Sequence, residues 1–227
     1  MPLFRMEELL DLNCSLLGGY LAGFLFPWEA LSSLGTAIRA LGENLGRDYR
    51  QEAPGIWVHR TARVASNTCL EGCCILGPGA QVRHGGYLRG SVLLGENALV
   101  GNSSEVKNAV FFDGAKAPHY NYVGDSILGR DAHLGAGTIL SNLKSDQSSV
   151  TVLWEGQKLY TGLRKCGSFL GDGAEVGCGS VLNPGSVLGR NARVYPLCSV
   201  RFGVPEGYIL KSSGLVKLHP DGRGRGD

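Results

Sequence analysis

An apolar residue recurs at every sixth position along most of this chain. The register runs from Val58 to Phe112 and resumes over residues 128–140 and again over 170–200. The residue two places before each apolar position is usually small, and the one after it is often glycine. A six-residue period is typical of a parallel β-helix, in which each repeat forms one short strand. The 35 glycines fit this interpretation, because glycine suits the tight corners between strands.

Three such strands complete one triangular coil, so residues 18 apart are expected to stack about 4.8 Å from each other. This spacing predicts two columns of stacked core residues: Val58, Leu76, Leu94 and Phe112 in one, and Leu70, Leu88 and Val106 in the other. The length of the repeat predicts about six coils. Each coil is stabilised only by its neighbours, so the end coils need caps. The N-terminal helices and the segment after Val204 are the candidate caps.

The pattern predicts three parts. Residues 1–55 form a helical segment, with a short buried stretch at 14–26 and an amphipathic helix after Pro27. Residues 56–210 form the β-helix, which is interrupted by a loop at 113–121 and by an insertion at 141–168 that contains a β-hairpin. Residues 211–227 form a C-terminal tail that ends in a polar, glycine-rich stretch.

Composition excludes several classes of protein. The formal net charge of +2 gives no basic footprint for nucleic acid or for a membrane surface. The acidic N-terminus does not resemble a signal peptide, so the seven cysteines are expected to be reduced and the protein cytoplasmic. Cys69, Cys73 and Cys74 lack a second pair at zinc-site spacing, so no metal site is predicted.

Two cations are predicted to stack on the outside of the β-helix. Arg89 and Lys107 are 18 residues apart, and each follows a core position. Stacked cations repel each other unless an anion lies between them, and arginine can chelate a phosphate with two hydrogen bonds. The geometry therefore indicates a phosphate site. The alternative is local neutralisation, in which Glu71 pairs with Arg89 and Glu105 lies near Lys107.

The segment after Val100 carries a more specific signal. It reads VGNSSEVKNAVFFDGAKAPHYNYVGDSILG and contains the elements VGN, KAxH and YxGD. It resembles the acetyltransferase domain of the bifunctional glucosamine-1-phosphate acetyltransferase/uridylyltransferases, within the hexapeptide-repeat acyltransferase superfamily. The resemblance covers about residues 56–210. No glycine-rich nucleotide loop precedes the repeat, so uridylyltransferase activity is not expected from this chain.

The resemblance implies a left-handed β-helix and a homotrimer whose sites lie between neighbouring subunits. It implies that His119 is the general base and that Glu105 orients it. The substrate-binding residues that it implies are Arg89, Lys107, Tyr122, Asn142 and Lys165. The acetyl-CoA side would be lined by Cys178, Pro196 and Lys211.

The chemistry agrees with these residue types, because neutral histidine accepts a proton efficiently near neutral pH. The chain also departs from the family. His133 replaces a sugar-binding asparagine, Leu143 replaces a tyrosine, and Pro196 removes a backbone donor.

The sequence therefore predicts an acetyl-CoA-dependent N-acetyltransferase that needs no metal. Its acceptor would be a hexosamine 1-phosphate or a related nucleotide sugar, as in the UDP-N-acetylglucosamine pathway. One alternative is a non-catalytic subunit that binds a sugar phosphate or trimerises a nucleotidyltransferase partner. Another is an acyltransferase that uses an alcohol as its acceptor.

Overall fold

The computed structural model describes residues 4–154 and 156–218. From Ile56 onward the chain winds as a parallel β-helix with three faces. Each coil adds one strand to each face. The first face contains β2 (Ile56–His59), β5 (Cys73–Leu76), the end of β7 (Tyr87–Leu94), the end of β9 (Glu105–Phe111), β12 (Ile127–Leu128), β17 (Ser168–Leu170) and β20 (Ser186–Leu188). Strands β7 and β9 bend around a corner, so each begins on the third face.

The other two faces follow the same order along the axis. The second face contains β3 (Arg63–Val64), β6 (Gln81–Val82), β8 (Leu99–Asn102), β10 (Lys116–His119), β13 (His133–Leu134), β18 (Glu175–Val176), β21 (Arg193–Val194) and β23 (Tyr208–Lys211). The third face contains β4 (Cys69–Leu70), the starts of β7 and β9, β11 (Tyr122–Gly124), β14 (Ile139–Leu140), β19 (Val181–Leu182) and β22 (Ser199–Val200).

The predicted fold class, a parallel β-helix with a helical N-terminal segment, is confirmed. One apolar column from each face meets in a continuous interior core that runs from Ile56 to Leu210. The stack is taller than the predicted six coils, because the second face alone stacks eight parallel strands. The prediction was low because Ala117, Val123, Val204 and Leu210 also occupy core positions, which the six-residue register from Val58 does not reach.

The chain loses one residue from its period at the fourth coil. Leu94 pairs with Phe111, so Phe111 is the core residue and the prediction of Phe112 at that position was wrong. Phe112 points to the outside of the first face, where it is also fully buried. The shift explains the segment 113–121, which is not a loop. It contains β10, with Ala117 stacked on Val100 and buried in the core.

The N-terminal helices cover the first face and do not cap the end coil. They are α1 (Met6–Leu9), a 3₁₀ helix (Leu12–Cys14), α2 (Gly18–Leu21), a second 3₁₀ helix (Pro27–Ser32) and α3 (Leu34–Gly42). These pack on outward apolar residues from Trp57 to Val187, which form a second core with them. A face with apolar residues on both sides must be covered. Val64, in the first coil, remains 38% exposed.

Three further elements complete the chain. Strand β1 (Tyr49–Ala53) pairs antiparallel with β2 and leads into the first coil. The hairpin predicted inside the insertion is confirmed as β15 (Thr151–Trp154) and β16 (Gln157–Tyr160). Its inner side joins the second core through Val152 and Trp154. At the C-terminal end, β24 (Gly214–Lys217) pairs antiparallel with β23. Residues 219–227 of the predicted tail lie outside the described residues.

Candidate active site

The third face brings Arg89 and Lys107 together as their spacing predicts. They are direct partners in the parallel pairing of β7 with β9. Each cation already has a carboxylate. Arg89 Nε lies 2.7 Å from Glu105 Oε1, and Lys107 Nζ lies 2.9 Å from Asp125 Oδ2. The local neutralisation considered above therefore occurs, with different partners from those expected.

The two ion pairs differ in burial. The side chains of Arg89 and Glu105 are 37% and 33% exposed, so water screens their attraction. Lys107 is 20% exposed and Asp125 only 5%. Glu71, the carboxylate first considered for Arg89, accepts a hydrogen bond from the Tyr87 hydroxyl at 2.7 Å.

Asp125 is the centre of the polar cluster on this side. Its carboxylate accepts two hydrogen bonds from Lys107 Nζ, at 2.9 and 3.0 Å, and one from Asn108 Nδ2 at 2.9 Å. It also accepts a short hydrogen bond from Asn142 Nδ2. A buried carboxylate needs such partners to remain charged. Asp125 thus connects the phosphate-site candidate Lys107 to the sugar-site candidate Asn142.

Tyr122 stands beside this cluster. It pairs with Glu105 across β9 and β11, and its ring is half-buried. Burial raises the pKa of the Tyr122 phenol, and the nearby carboxylates of Glu105 and Asp125 raise it further. The phenol is therefore protonated at neutral pH and able to donate a hydrogen bond. A side chain at Gly124 would lie 2.7 Å from the Tyr122 hydroxyl, so glycine leaves the room that this tyrosine needs.

His119 lies at the corner between the second and third faces, at the end of β10, with an exposed side chain. Its backbone N–H donates to Asn121 Oδ1 at 3.0 Å. Asn121 is buried, and its amide donates to the carbonyls of Gly135 and Thr138 at 2.9 and 3.3 Å. The histidine is thus held by a buried amide. Glu105, predicted to orient His119, instead accepts from Arg89.

A groove of about 900 Å³ runs along the second face beside His119. Its walls include Lys116, His133 and Cys178. His133 pairs with Lys116 on one side and Glu175 on the other. Burial lowers the pKa of the His133 imidazole; Glu175 opposes this shift, while Lys116 and His119 add to it. His133 is therefore held toward its neutral form.

The predicted donor-side residues share a corner with His119. His119 and Cys178 each lie two residues after a core position of the second face, and Pro196 occupies the same place in a later coil. Consecutive coils are joined there by hydrogen bonds, including Leu197 N to Cys178 O at 3.0 Å. Lys211 lies one residue earlier in the repeat, with its Nζ 5.9 Å from the Tyr195 ring centroid.

Lys165 is placed apart from His119. It forms an antiparallel bridge with Leu143 at the end of the insertion, next to Cys166, whose N–H donates to the Asn142 carbonyl. Glu105 and Asp125 therefore connect four of the predicted substrate-binding residues: Arg89, Lys107, Tyr122 and Asn142. The groove holds His119, and Lys165 faces a separate cavity with Asp125.

Two functional candidates were missed from the sequence. Asp125 is the last residue of YxGD, and its place in that element was the available signal. Asn121 occupies the position two residues before core Val123, where other coils carry small residues such as Ser104. A larger polar residue in that column indicates a buried hydrogen-bonding role.

Within residues 4–154 and 156–218, no group of three or more His, Cys, Asp or Glu is placed to hold a metal ion. The seven cysteines are all unpaired. Burial raises the pKa of Cys74 and of Cys166 to about 12, so both thiols are packing groups. None of the described helices has the length and apolar character needed to cross a bilayer.

Fold and site together describe a parallel β-helix with a histidine at one corner and stacked cations on the adjoining face. No protein-family model matches the chain. A bifunctional sugar-1-phosphate nucleotidylyltransferase/acetyltransferase of Sulfurisphaera tokodaii is 34% identical over 197 residues, covering 85% of this chain and 49% of that protein. The bifunctional protein GlmU of Stutzerimonas stutzeri is 40% identical over 128 residues, covering 55% of this chain and 28% of that protein.

Among solved structures, a point mutant of AntD, an N-acyltransferase from Bacillus cereus in complex with dTDP and coenzyme A, aligns with a TM-score of 0.41. The sequence identity is 15%, over 78% of this chain and 88% of that chain. The chain spans about half the length of the S. tokodaii relative. The resemblance seen in the motifs is confirmed: the chain resembles the acetyltransferase domain of these bifunctional proteins.

Proposed function

We propose that this chain is an acetyl-CoA-dependent N-acetyltransferase whose acceptor is a hexosamine 1-phosphate or a related nucleotide sugar. The observation that carries the proposal is the shared corner of His119 and Cys178, beside a face on which Arg89 and Lys107 are stacked. The names of the relatives agree with this class, because each sequence relative described above carries an acetyltransferase or GlmU name.

In the proposed reaction the acceptor amine attacks the thioester carbonyl carbon of acetyl-CoA. His119 takes a proton from the nitrogen as the C–N bond forms; the C–S bond then breaks, and the leaving sulfur receives that proton to give the CoA thiol. The neutral imidazole of a histidine can accept a proton, as a general base must. Asn121 fixes the backbone of His119, and an exposed side chain leaves the imidazole open to substrate.

The acceptor would bind with its phosphate toward the third face. Arg89 and Lys107 are the proposed phosphate contacts, and Tyr122 and Asn142 the proposed sugar contacts. A phosphate there would compete with Glu105 for the Arg89 guanidinium. That exchange is feasible because the Arg89–Glu105 pair is partly exposed and therefore weak. The pantetheine arm would lie along the corner past Cys178 and Pro196 toward Lys211.

The test measures acetyl transfer from acetyl-CoA to glucosamine 1-phosphate. The reaction is monitored through the loss of absorbance of the thioester. We expect His119→Ala to lower kcat at least about 100-fold, the lower limit for a lost general base. His84→Ala is the matched control, because His84 is an exposed histidine at the same corner two coils earlier. No thioester cleavage with any amino-sugar phosphate would exclude this function.

A second function is favoured by one observation: Pro196 removes a backbone donor from the predicted acetyl-CoA side, while Arg89 and Lys107 remain stacked on the predicted phosphate side. A subunit that only binds a sugar phosphate would need no base. In that case binding of glucosamine 1-phosphate, measured by calorimetry, would be unchanged in His119→Ala and lost in Lys107→Ala. Turnover by the wild-type chain would exclude this second function.

We further propose a homotrimer that works in the cytoplasm, where free thiols persist. Large apolar residues are exposed at the His119 corner: Leu197 at 84%, Tyr120 at 63% and Tyr195 at 52%. A second copy covering this corner would complete the site from two chains. We expect Leu197→Asp to yield a smaller species in light scattering. The control is Leu25→Asp, at a residue of the N-terminal segment that is 51% exposed.

A further inference from the structure

Asn102, the last residue of the element VGN, is the direct partner of His119 in the parallel pairing of β8 with β10. Both residues lie two places after a core position, at the corner between the second and third faces. Residues in register on neighbouring strands lie about 4.8 Å apart, so the two side chains project from adjacent levels of one corner. The Tyr120 N–H donates to the Asn102 carbonyl at 2.9 Å, which joins the two coils at this point.

The amide of Asn102 has a fixed orientation and an oxygen without a partner. Its Nδ2 donates to the His84 carbonyl at 3.2 Å, in the preceding coil. No donor within residues 4–154 and 156–218 makes a hydrogen bond to its Oδ1. The nitrogen and the oxygen of a planar amide point in different directions, so Oδ1 is not turned toward His84. It is available to the following coil, which carries His119.

The imidazole of His119 needs a group that fixes its orientation. The ring makes no hydrogen bond with any described residue. Glu105, the predicted orienting residue, accepts from Arg89 Nε at 2.7 Å. On the other side of His119, the same corner position is occupied by Ala136, which has no polar side chain. Because the hydrogen bond made by one ring nitrogen decides whether the other is free to accept a proton, the neighbouring amide of Asn102 is well placed to control it.

We propose that Asn102 is a positioning residue for His119. Its Oδ1 accepts a hydrogen bond from one ring N–H, which directs the lone pair of the other ring nitrogen to the acceptor amine. The exposed ring reaches Oδ1 by turning about its side-chain bonds. This inference rests on the proposed function and deepens it, because it supplies the orienting group that Glu105 does not. A neutral amide orients the ring without adding charge, as the asparagine of a Cys-His-Asn arrangement does.

The first experiment separates orientation of the ring from packing of the corner. Asn102→Ala and Asn102→Asp both lose the N–H that donates to the His84 carbonyl, but only the aspartate keeps an acceptor oxygen. We expect Asn102→Ala to lower kcat with glucosamine 1-phosphate by about 10- to 100-fold and to leave KM unchanged, because a misplaced reacting group costs rate and not binding. Asn102→Asp should recover most of that loss. Equal losses of kcat in the two variants would contradict the proposal.

The pH dependence of the same variants gives a readout that a purely structural role would not move. A carboxylate beside the ring favours the imidazolium form, so the acid limb of the kcat/KM profile of Asn102→Asp should move up by about one pH unit. The other titratable groups of the groove are the same in each variant, so they cancel in the comparison. Asn183→Ala is the matched control, because Asn183 Nδ2 donates to the Val200 carbonyl at 2.8 Å in a coil distant from His119. It should keep the wild-type kcat and profile. An unmoved acid limb in Asn102→Asp would overturn the proposed hydrogen bond.

The second experiment needs no turnover. The chain has five histidines, so NMR of the full chain labelled with ¹⁵N at histidine gives few ring signals, and His119→Ala identifies those of His119. The ¹⁵N shifts distinguish the two neutral tautomers of the ring and are recorded with and without CoA. We expect His119 to favour one tautomer in the wild type and in Asn183→Ala, and to lose that preference in Asn102→Ala. The same tautomer ratio in all three chains would refute the positioning role.

The two experiments separate this inference from the proposed function. If the chain transfers no acetyl group but the tautomer preference of His119 depends on Asn102, the positioning role stands and the transferase assignment fails. If acetyl transfer proceeds and Asn102→Ala matches Asn183→Ala in kcat and in tautomer ratio, the positioning role fails and the transferase assignment stands.

Discussion

Asn121 is the side chain whose removal tests most directly how this fold holds His119, the proposed general base. It is 3% exposed and stands in a column that other coils fill with small residues. Its amide donates to the carbonyls of Gly135 and Thr138, and its Oδ1 accepts from the N–H of His119. One buried side chain therefore joins two successive coils and fixes the end of β10.

Asn121→Ala would break all three hydrogen bonds. Each contributes about 1 kcal/mol net to stability, so we expect the free energy of unfolding to fall by about 3 kcal/mol. The lost Oδ1 also frees the backbone of His119. A displacement of about 1 Å at a reacting group can cost about 100-fold in rate. We therefore expect kcat to fall between about 10- and 100-fold in protein that is still folded.

Urea unfolding followed by tryptophan fluorescence gives the stability change, and acetyl-CoA turnover under folding conditions gives kcat. Ser186→Ala is the matched control. Ser186 is 1% exposed, and its Oγ donates to Asn183 O at 2.7 Å in a coil distant from His119. It should lose stability and keep kcat. The reasoning is refuted if Asn121→Ala unfolds at the wild-type urea concentration, or if both variants lose the same fraction of kcat.

Three further predictions concern the wider structure. Asp125→Asn should lower the free energy of unfolding by about 2–3 kcal/mol, because it leaves Lys107 with a neutral partner. Glu105→Gln breaks an ion pair that water already screens, so it should cost less than about 1 kcal/mol. The urea concentrations at which the two variants unfold measure this difference. Burial lowers the pKa of His133 below its usual 6.5 in the folded chain, so the unfolded chain binds a proton more readily than the folded one. The stability that the neutral His133 contributes is therefore fully present above about pH 6.5 and is lost as the pH falls below that value. His133→Asn should flatten the stability–pH curve below about pH 6.5. Trp28 is 2% exposed and lies against the Phe169 ring, so Trp28→Ala should cost about 3–5 kcal/mol and expose the N-terminal segment to limited proteolysis before the coils unfold.

The repeat predicted the coils well because core burial is periodic. Leu70, Leu88 and Val106 stack as expected, and so do Arg89 and Lys107 outside them. These positions follow from the 18-residue spacing alone, because nothing in those coils alters the length of the period.

The same reasoning failed where both sides of a strand are apolar. Phe111 and Phe112 are both fully buried, one in each core, so hydrophobicity cannot distinguish which points inward. The hexapeptide register chose Phe112, and the segment after it then looked like a loop. The covering of the first face caused this error, because a strand buried on both faces has no alternating pattern to read.

The polar cluster was only partly predictable, for a different reason. The cations were visible from spacing, but their partners depend on side-chain direction at the corners. Glu105 forms its ion pair with Arg89 and not with Lys107. Lys107 instead pairs with Asp125, which lies in the next coil. Corner geometry of this kind follows from individual left-handed residues such as Asn108 and Asp125, both with φ near +50°, which periodicity does not encode.

At the corner that carries His119, the residue with left-handed backbone conformation differs from coil to coil. The left-handed position is filled by glycine in several coils, for example Gly85 and Gly137, but by Tyr120 and Leu197 in others, at φ +51° and +60°. A bulky residue in this conformation costs roughly 1–2 kcal/mol. Packing within the chain does not offset that cost, since the two side chains are 63% and 84% exposed. We therefore propose that contacts with the neighbouring subunit of the proposed homotrimer offset this cost at the His119 corner.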